Sequence, residues 1–206
     1  MSISFYIIQI LVSIFGVLFA IKISSFKKDA WYFYFLGTFV GFISFYNFAE
    51  FSILGFIKGL IPFSHDLGLS LLAIIILKKH SFKPQTLTKK NILPAAVIII
   101  FTILFMIIFN HLTLPMSPFY SVSMFISDLF GIIVFVGSAL LIFGYIAGLL
   151  INSIYCVQMI VMSIYYQIIY PQSITMFLIN SLFNILNLLI FTYAYIKNKK
   201  LLKDSK

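Results

Sequence analysis

Seven long apolar runs follow one another along this chain, and lysines gather in alternate gaps between them. The runs cover roughly 4–24, 31–50, 59–78, 92–110, 119–142, 145–168 and 174–196. A bilayer's hydrocarbon core is about 30 Å thick and takes about 20 apolar helical residues to cross. Each run meets that length. The chain's 206 residues are 62% hydrophobic and only 9% charged, whereas about a quarter of the residues in a soluble domain are charged. So few charges cannot clothe a water-facing surface, but they suit lipid. The reading is an all-α fold, a polytopic membrane helical bundle of seven transmembrane helices. It forms a single integral membrane domain over 1–206, with 197–206 as a short basic tail.

The first run has no lysine before it and no small-residue cleavage pattern after it, only Ile21-Lys22-Ile23, so it reads as a retained span rather than a signal peptide. Between Asn110 and Ile196 the only charge is Asp128. That stretch holds three spans, broken at Gly144 and at Tyr170-Pro171-Gln172, because Gly and Pro punctuate helices.

Lysine placement gives the orientation. With the N-terminus outside, every lysine but Lys58 falls on the cytoplasmic side, as insertion favours. Parity agrees, because the basic loop at 78–90 and the basic tail share a side only if an even number of spans separates them. The expected location is an integral protein of the plasma membrane, N-terminus out and C-terminus cytoplasmic. Trp31, Tyr32 and Tyr34, Tyr120, and Tyr193 and Tyr195 lie near span ends, where amphipathic rings anchor at headgroups.

The lysines flank apolar runs and form no face interleaved with aromatics, so the net charge of +9 implies no nucleic acid. The chain has no Arg, hence no guanidinium fork for phosphate or carboxylate. One cysteine, Cys156, forms no intramolecular disulfide. The expected partners are the lipid bilayer, a small-molecule solute, and a membrane protein partner or a second copy of the chain. No cofactor and no metal is implied. HExxH, CxxC and Gly-rich phosphate-loop patterns are absent, and so is a nucleophile set of recognisable spacing. The seventh run has no lysine before Lys197, which excludes an opsin-type Schiff base.

Two groups of polar residues sit inside the runs. Asp128, next to Ser127, lies about ten positions into the fifth. A carboxylate at that depth is costly, faces the bundle interior, and marks ion, proton or solute paths or ties helices together. Asn180, Asn184 and Asn187 in the seventh run are spaced four and then three apart, which places them on one helical face. Asn152 and Gln158 add amides to the sixth, and Gln167 lies near its outer end. Uncharged amides both donate and accept, which suits recognition of a neutral or weakly charged metabolite. The alternative role is interhelical glue. The candidate site is therefore Asp128, Asn152, Gln158, Asn180, Asn184 and Asn187. A third group, Glu50, Lys58, His65 and Asp66, is expected at the outer surface, with Asp66 near the start of the third span.

The stretch 144–197 opens Gly144-Tyr145-Ile146-Ala147, ends its first helix near Pro171-Gln172, turns at Ser173, and continues into a helix carrying Asn184. It resembles two helices of the PQ-loop superfamily, which contains the SWEET sugar transporters. The resemblance covers about a quarter of the chain. It matches Gln158 to the motif glutamine, Ser173 to the turn serine and Asn184 to the helix asparagine. Val157 stands where the motif has its hinge proline, and no Trp accompanies Asn184. The resemblance implies a carrier in which two three-helix halves rock around a midplane site, although no repeat between 4–78 and 119–196 is visible in the sequence.

The function expected is a small-solute transporter or substrate-binding membrane subunit with a midplane polar site. The competing expectation is a seven-span sensor input module or an accessory subunit without transport, suggested by the lysine-rich tail. Nothing positive supports an enzyme.

Overall fold

The computed structural model describes residues 3–48, 53–79, 82–113, 122–169 and 174–204, with side chains over 6–43, 63–78, 82–108, 131–169 and 174–204. Seven helices occupy the described residues: α1 Ile3–Ser24, α2 Ala30–Phe48, α3 Ile53–Lys79, α4 Ile92–Thr113, α5 Val122–Ile142, α6 Ala147–Ile169 and α7 Ile174–Asp204. Their outer faces keep large apolar side chains exposed, among them Ile7, Ile75, Phe101, Ile168, Leu182 and Leu189. Helices that are apolar on the outside as well as the inside belong in lipid. The protein is a seven-helix membrane bundle.

Six helices form a closed ring. α1 packs on α2, α2 on α3, α3 on α5, α5 on α6, α6 on α7, and α7 returns to α1. α4 stands outside and leans on α5. Exchanging α1, α2 and α3 with α5, α6 and α7 maps this packing pattern onto itself. The chain is thus two three-helix runs joined by α4, a symmetry of packing that the side chains do not repeat.

Two glycines set the α5–α6 crossing. A Cβ on Gly148 would lie 2.4 Å from the carbonyl oxygen of Gly137, and one on Gly137 would meet Ile151 at 2.9 Å. The backbones touch there, as small residues permit in membrane interfaces. On the other half, a Cβ on Gly37 would reach the Cβ of Phe15 at 3.1 Å, which brings α2 close against α1.

The helix ends that carry lysines gather at one end of the bundle. Ile23, Phe26, Ala30, Trp31, Leu77, Ile142, Ile146, Leu149, Phe191 and Ala194 form a buried cluster there, with Phe82 and Leu202 packed against it. Asp29 pairs with Lys22 at 2.6 Å across the α1–α2 turn. The long basic connection is firmly held. The Gln85 amide donates to the Gly144 carbonyl (2.8 Å), the Ile146 amide donates to the Gln85 carbonyl (3.0 Å), and Asn91 Nδ2 donates to the Thr86 carbonyl (2.9 Å). Gly144 has φ +80°, and a Cβ there would lie 2.3 Å from the Lys83 carbonyl oxygen. The expected break at Gly144 is therefore a turn that only glycine fits.

Three expectations change. First, α3 begins at Ile53 and runs through Pro62, so Asp66 lies halfway along a 27-residue helix rather than near the start of a span. Second, Trp31 is completely buried, with its ring 5.4 Å from that of Phe19, and Tyr34 also points inward. Neither anchors at headgroups, because the cluster that closes the lysine-bearing end claims both rings. Third, the basic tail continues as helix to Asp204. Asn198 Nδ2 donates to the carbonyls of Ser24 (3.1 Å) and Ala194 (2.8 Å), which ties this extension to α1.

Candidate functional site

The ring encloses a cavity of about 370 Å3, lined from all six of its helices and not from α4. Its only described carboxylate is Asp66. Tyr34 Oη on α2 donates to Asp66 Oδ1 at 2.6 Å, and His65 Nε2 lies 3.5 Å from Asp66 Oδ2. Thr38, one helical turn beyond Tyr34, donates its hydroxyl to the Tyr34 carbonyl at 3.0 Å. The α2 wall thus holds the tyrosine that orients the α3 carboxylate.

Amides furnish the opposite wall. Asn152 on α6 and Asn184 and Asn187 on α7 line the cavity, with Tyr155 and Cys156 beside them. Asn152 Nδ2 donates to the Gly148 carbonyl (3.0 Å) and Asn184 Nδ2 to the Asn180 carbonyl (2.8 Å). Each amide has bent back onto the preceding turn of its own helix, which fixes its rotamer and leaves its acceptor oxygen uncommitted to that bond. Asn187 Oδ1 is buried and has no hydrogen-bond partner among the described residues. A buried carbonyl without a donor is costly, so its presence at a cavity wall suits a donor supplied by a bound molecule.

Phe19, Phe33, Phe183 and Phe191 supply aromatic surface, and no lysine or histidine lines the cavity among the described residues. The described polar groups are one carboxyl group and several neutral donors and acceptors, set among π faces. Such a chamber favours a neutral or cationic solute and disfavours an anion. Its volume lies within the range of small-molecule sites. The buried cluster around Trp31 and Phe191 closes its lysine-bearing end.

Of the six residues expected from sequence, Asn152, Asn184 and Asn187 meet in this cavity. Asn180 lies one turn before Asn184 on α7 and contributes its backbone carbonyl to Asn184. Gln158 lies on α6 but does not line the cavity. Asp128 belongs to α5, but its side chain lies outside the described residues. So do Glu50, Lys58 and His111. Sequence reasoning placed Asp66 at the outer surface and Tyr34 at the headgroups, and so left both out of the candidate site. The available signal was the apolar run before His65, which Lys58 and Pro62 interrupt without ending the helix.

No family model and no curated protein matches the chain. Among solved structures, the crystal structure of the vitamin B3 transporter PnuC is similar, with a TM-score of 0.67 at 14% identity, covering 97% of this chain and 83% of that one. At that identity the likeness is one of fold.

Proposed function

We propose that the protein is a transporter of a small, neutral or cationic, vitamin-sized solute, bound in the central cavity between Asp66 and the amides of α6 and α7. The observation that carries this reading is the cavity itself. It is central, sets a carboxyl group and amides in a largely apolar lining, and is lined by both three-helix halves, so rocking one half against the other would carry the site from one membrane face to the other. The fold likeness to a vitamin B3 transporter supports it and makes vitamin B3 the first solute to test. The resemblance of 144–197 to PQ-loop carriers points the same way through Asn184.

In this reading Asp66 holds the cationic or hydrogen-bond-donating part of the solute. Tyr34 orients that carboxylate, and the rings of Phe19 and Phe191 stack on the solute's flat part. Asn187 Oδ1 accepts a solute donor. The lysine-bearing end faces the cytoplasm, with the N-terminus outside, in the plasma membrane. In this conformation the cluster around Trp31 and Phe191 stands between the cavity and that end.

The test is counterflow in proteoliposomes. Vesicles carrying the purified chain and preloaded with vitamin B3 should accumulate labelled vitamin B3 saturably, and Asp66→Asn should abolish that accumulation while leaving protein yield intact. No flux and no solute-induced thermal stabilisation, for vitamin B3 or for other vitamin-sized neutral and cationic solutes, would overturn the reading. The accessory-subunit reading draws on the exposed lysines of α7 beyond Ile196. Co-purification of a stoichiometric membrane partner from native membranes, together with absent flux, would favour it.

A further inference from the structure

A second cavity lies outside the ring. α4 leans on α5 without packing closely on α3, and the wedge between the three helices is a space of about 560 Å3. Its walls are apolar: Leu72 and Ile76 from α3, Val97 and Phe101 from α4, Phe135 and Phe143 from α5 and its end. A Cβ on Gly68 would meet nothing within 4 Å, so the wedge is open at its floor. Leu72, Phe101 and Phe143 are exposed at its mouth, which opens sideways toward lipid. The Thr102 hydroxyl already donates to the Ile98 carbonyl at 2.6 Å, so that residue offers the groove no free donor.

Among the described residues, lysines gather at one end of the groove. Ile76, Ile142 and Phe143 continue from this groove into a smaller space walled by Lys83, and Val97, Ile98 and Phe143 lead to Gln85 and Tyr145. Lys78, Lys83, Lys89 and Lys90 are all exposed there. No Asp or Glu occurs between Asp66 and Asp128 in the sequence, and among the described residues the ion pairs are Lys22–Asp29 and His65–Asp66. The lysines at the mouth are therefore not neutralised by described carboxylates. Lys83 is also anchored, since its backbone lies against Gly144 while Gln85 beside it is hydrogen-bonded to the α5–α6 turn.

We infer that this groove is a binding site for an anionic phospholipid of the leaflet on the lysine-bearing side, with one acyl chain between α3, α4 and α5 and the phosphate at Lys83. Length, polarity and charge agree. From Ser64 to Ile76 the α3 wall rises about 18 Å at 1.5 Å per residue, close to the roughly 15 Å of one leaflet's share of the hydrocarbon core. Apart from Ser64, His65 and Thr102, the described walls are apolar side chains and glycine, which suit an acyl chain. The cationic end sits where a headgroup would lie, as in basic pockets between spans that hold acidic lipids. The inner end of the groove reaches His65, whose ring lies 5.6 Å from that of Phe135 and whose neighbour Asp66 lines the central cavity. The lipid chain would thus pack behind the solute site.

The test is native mass spectrometry of the full chain released from nanodiscs of phosphatidylcholine containing a minority of phosphatidylglycerol. The expected result is one phosphatidylglycerol retained in preference to phosphatidylcholine. Lys83→Gln should weaken that retention about fivefold, the contribution of one lysine near a charged headgroup, and Gly68→Leu should remove it by filling the groove. Equal retention of the two lipids, or unchanged retention in Lys83→Gln, would overturn the assignment. So would a species of two chains that Gly68→Leu splits, because a second copy would then occupy the groove. Lys83→Gln alters an exposed side chain, so it carries the test even if Gly68→Leu fails to fold.

Discussion

Tyr34 on α2 donates its hydroxyl to the carboxylate of Asp66 on α3 at 2.6 Å, inside a cavity that six helices share. The bond joins two neighbours in the ring and sets the direction in which the one described carboxylate of the chamber faces. A hydrogen bond to a charged group contributes about 1.5–3 kcal/mol. Tyr34→Phe should therefore lower thermal stability in detergent by that order and weaken solute binding about tenfold or more, with yield retained. Measured stability and affinity both matching wild type would mean that the pair neither holds the helices nor orients the carboxylate.

The amide at Asn187 should behave in the opposite sense. Its Oδ1 is buried without a partner among the described residues, so replacing it with an apolar side chain of similar size removes a desolvation cost. Asn187→Leu is expected to leave the melting temperature unchanged or raised while solute binding falls. A melting temperature several degrees lower would show that Asn187 is a structural link between α7 and α1 instead.

Much of this architecture was legible in the sequence, and the reasons differ by residue. The seven spans follow from apolar length, and the turn at Gly144 from the one residue type that tolerates φ +80°. Asn184 and Asn187 share a face because helical geometry requires it. Asp66 was misplaced because Lys58 and Pro62 look like the end of a loop, whereas in a bundle neighbouring helices support a helix through such residues. Trp31 and Tyr34 were misread because proximity to lysines marks depth, not direction. Which way a ring points depends on where the other helices pack, and no local pattern encodes that. Gln158 and Asn180 show the same limit, since a polar side chain in a span finds the cavity only if its angle on the helix matches the ring's interior.

Gly148 and Gly68 form a matched pair of controls for the packing. Gly148→Ala places a methyl 2.4 Å from the Gly137 carbonyl oxygen, a backbone atom that cannot swing aside. Separating α5 from α6 should cost about 1–3 kcal/mol, as overpacking does, and should displace Asn152, which is bonded to the Gly148 carbonyl. Gly68→Ala meets nothing and removes a helix-interior glycine, worth up to about 1 kcal/mol in favour of the alanine variant. Thermal melts should move in opposite directions, and movement in the same direction would contradict the two crossing geometries.

The connection over 82–91 gives a further measurement. Gly144→Ala forces a side chain into a left-handed backbone conformation, costing about 1–2 kcal/mol, and drives it against the Lys83 carbonyl. The hydrogen bonds between Gln85 and the α5–α6 turn should then open. Trypsin should cut faster after Lys89 and Lys90 than in wild type. Equal cutting rates would mean that the turn does not hold the connection.

Cys156 supplies a probe that requires no engineering, because it is the single cysteine of the chain and it lines the central cavity. It is 3% exposed, and the plug of Trp31, Phe191 and their neighbours stands between it and the lysine-bearing face. In the conformation described here, a small polar maleimide added on that face should label Cys156 slowly, and Trp31→Ala, which deletes the largest fully buried side chain of the plug, should accelerate labelling from that face. If the cavity is the solute site, saturating solute should protect the thiol in both proteins, since the amides of Asn152 and Asn184 lie in the same walls. Labelling from the lysine-bearing face that is fast in wild type and unaffected by Trp31→Ala would mean that the cluster is not a barrier, and the cavity would then be reached from that side without any rocking of the two halves.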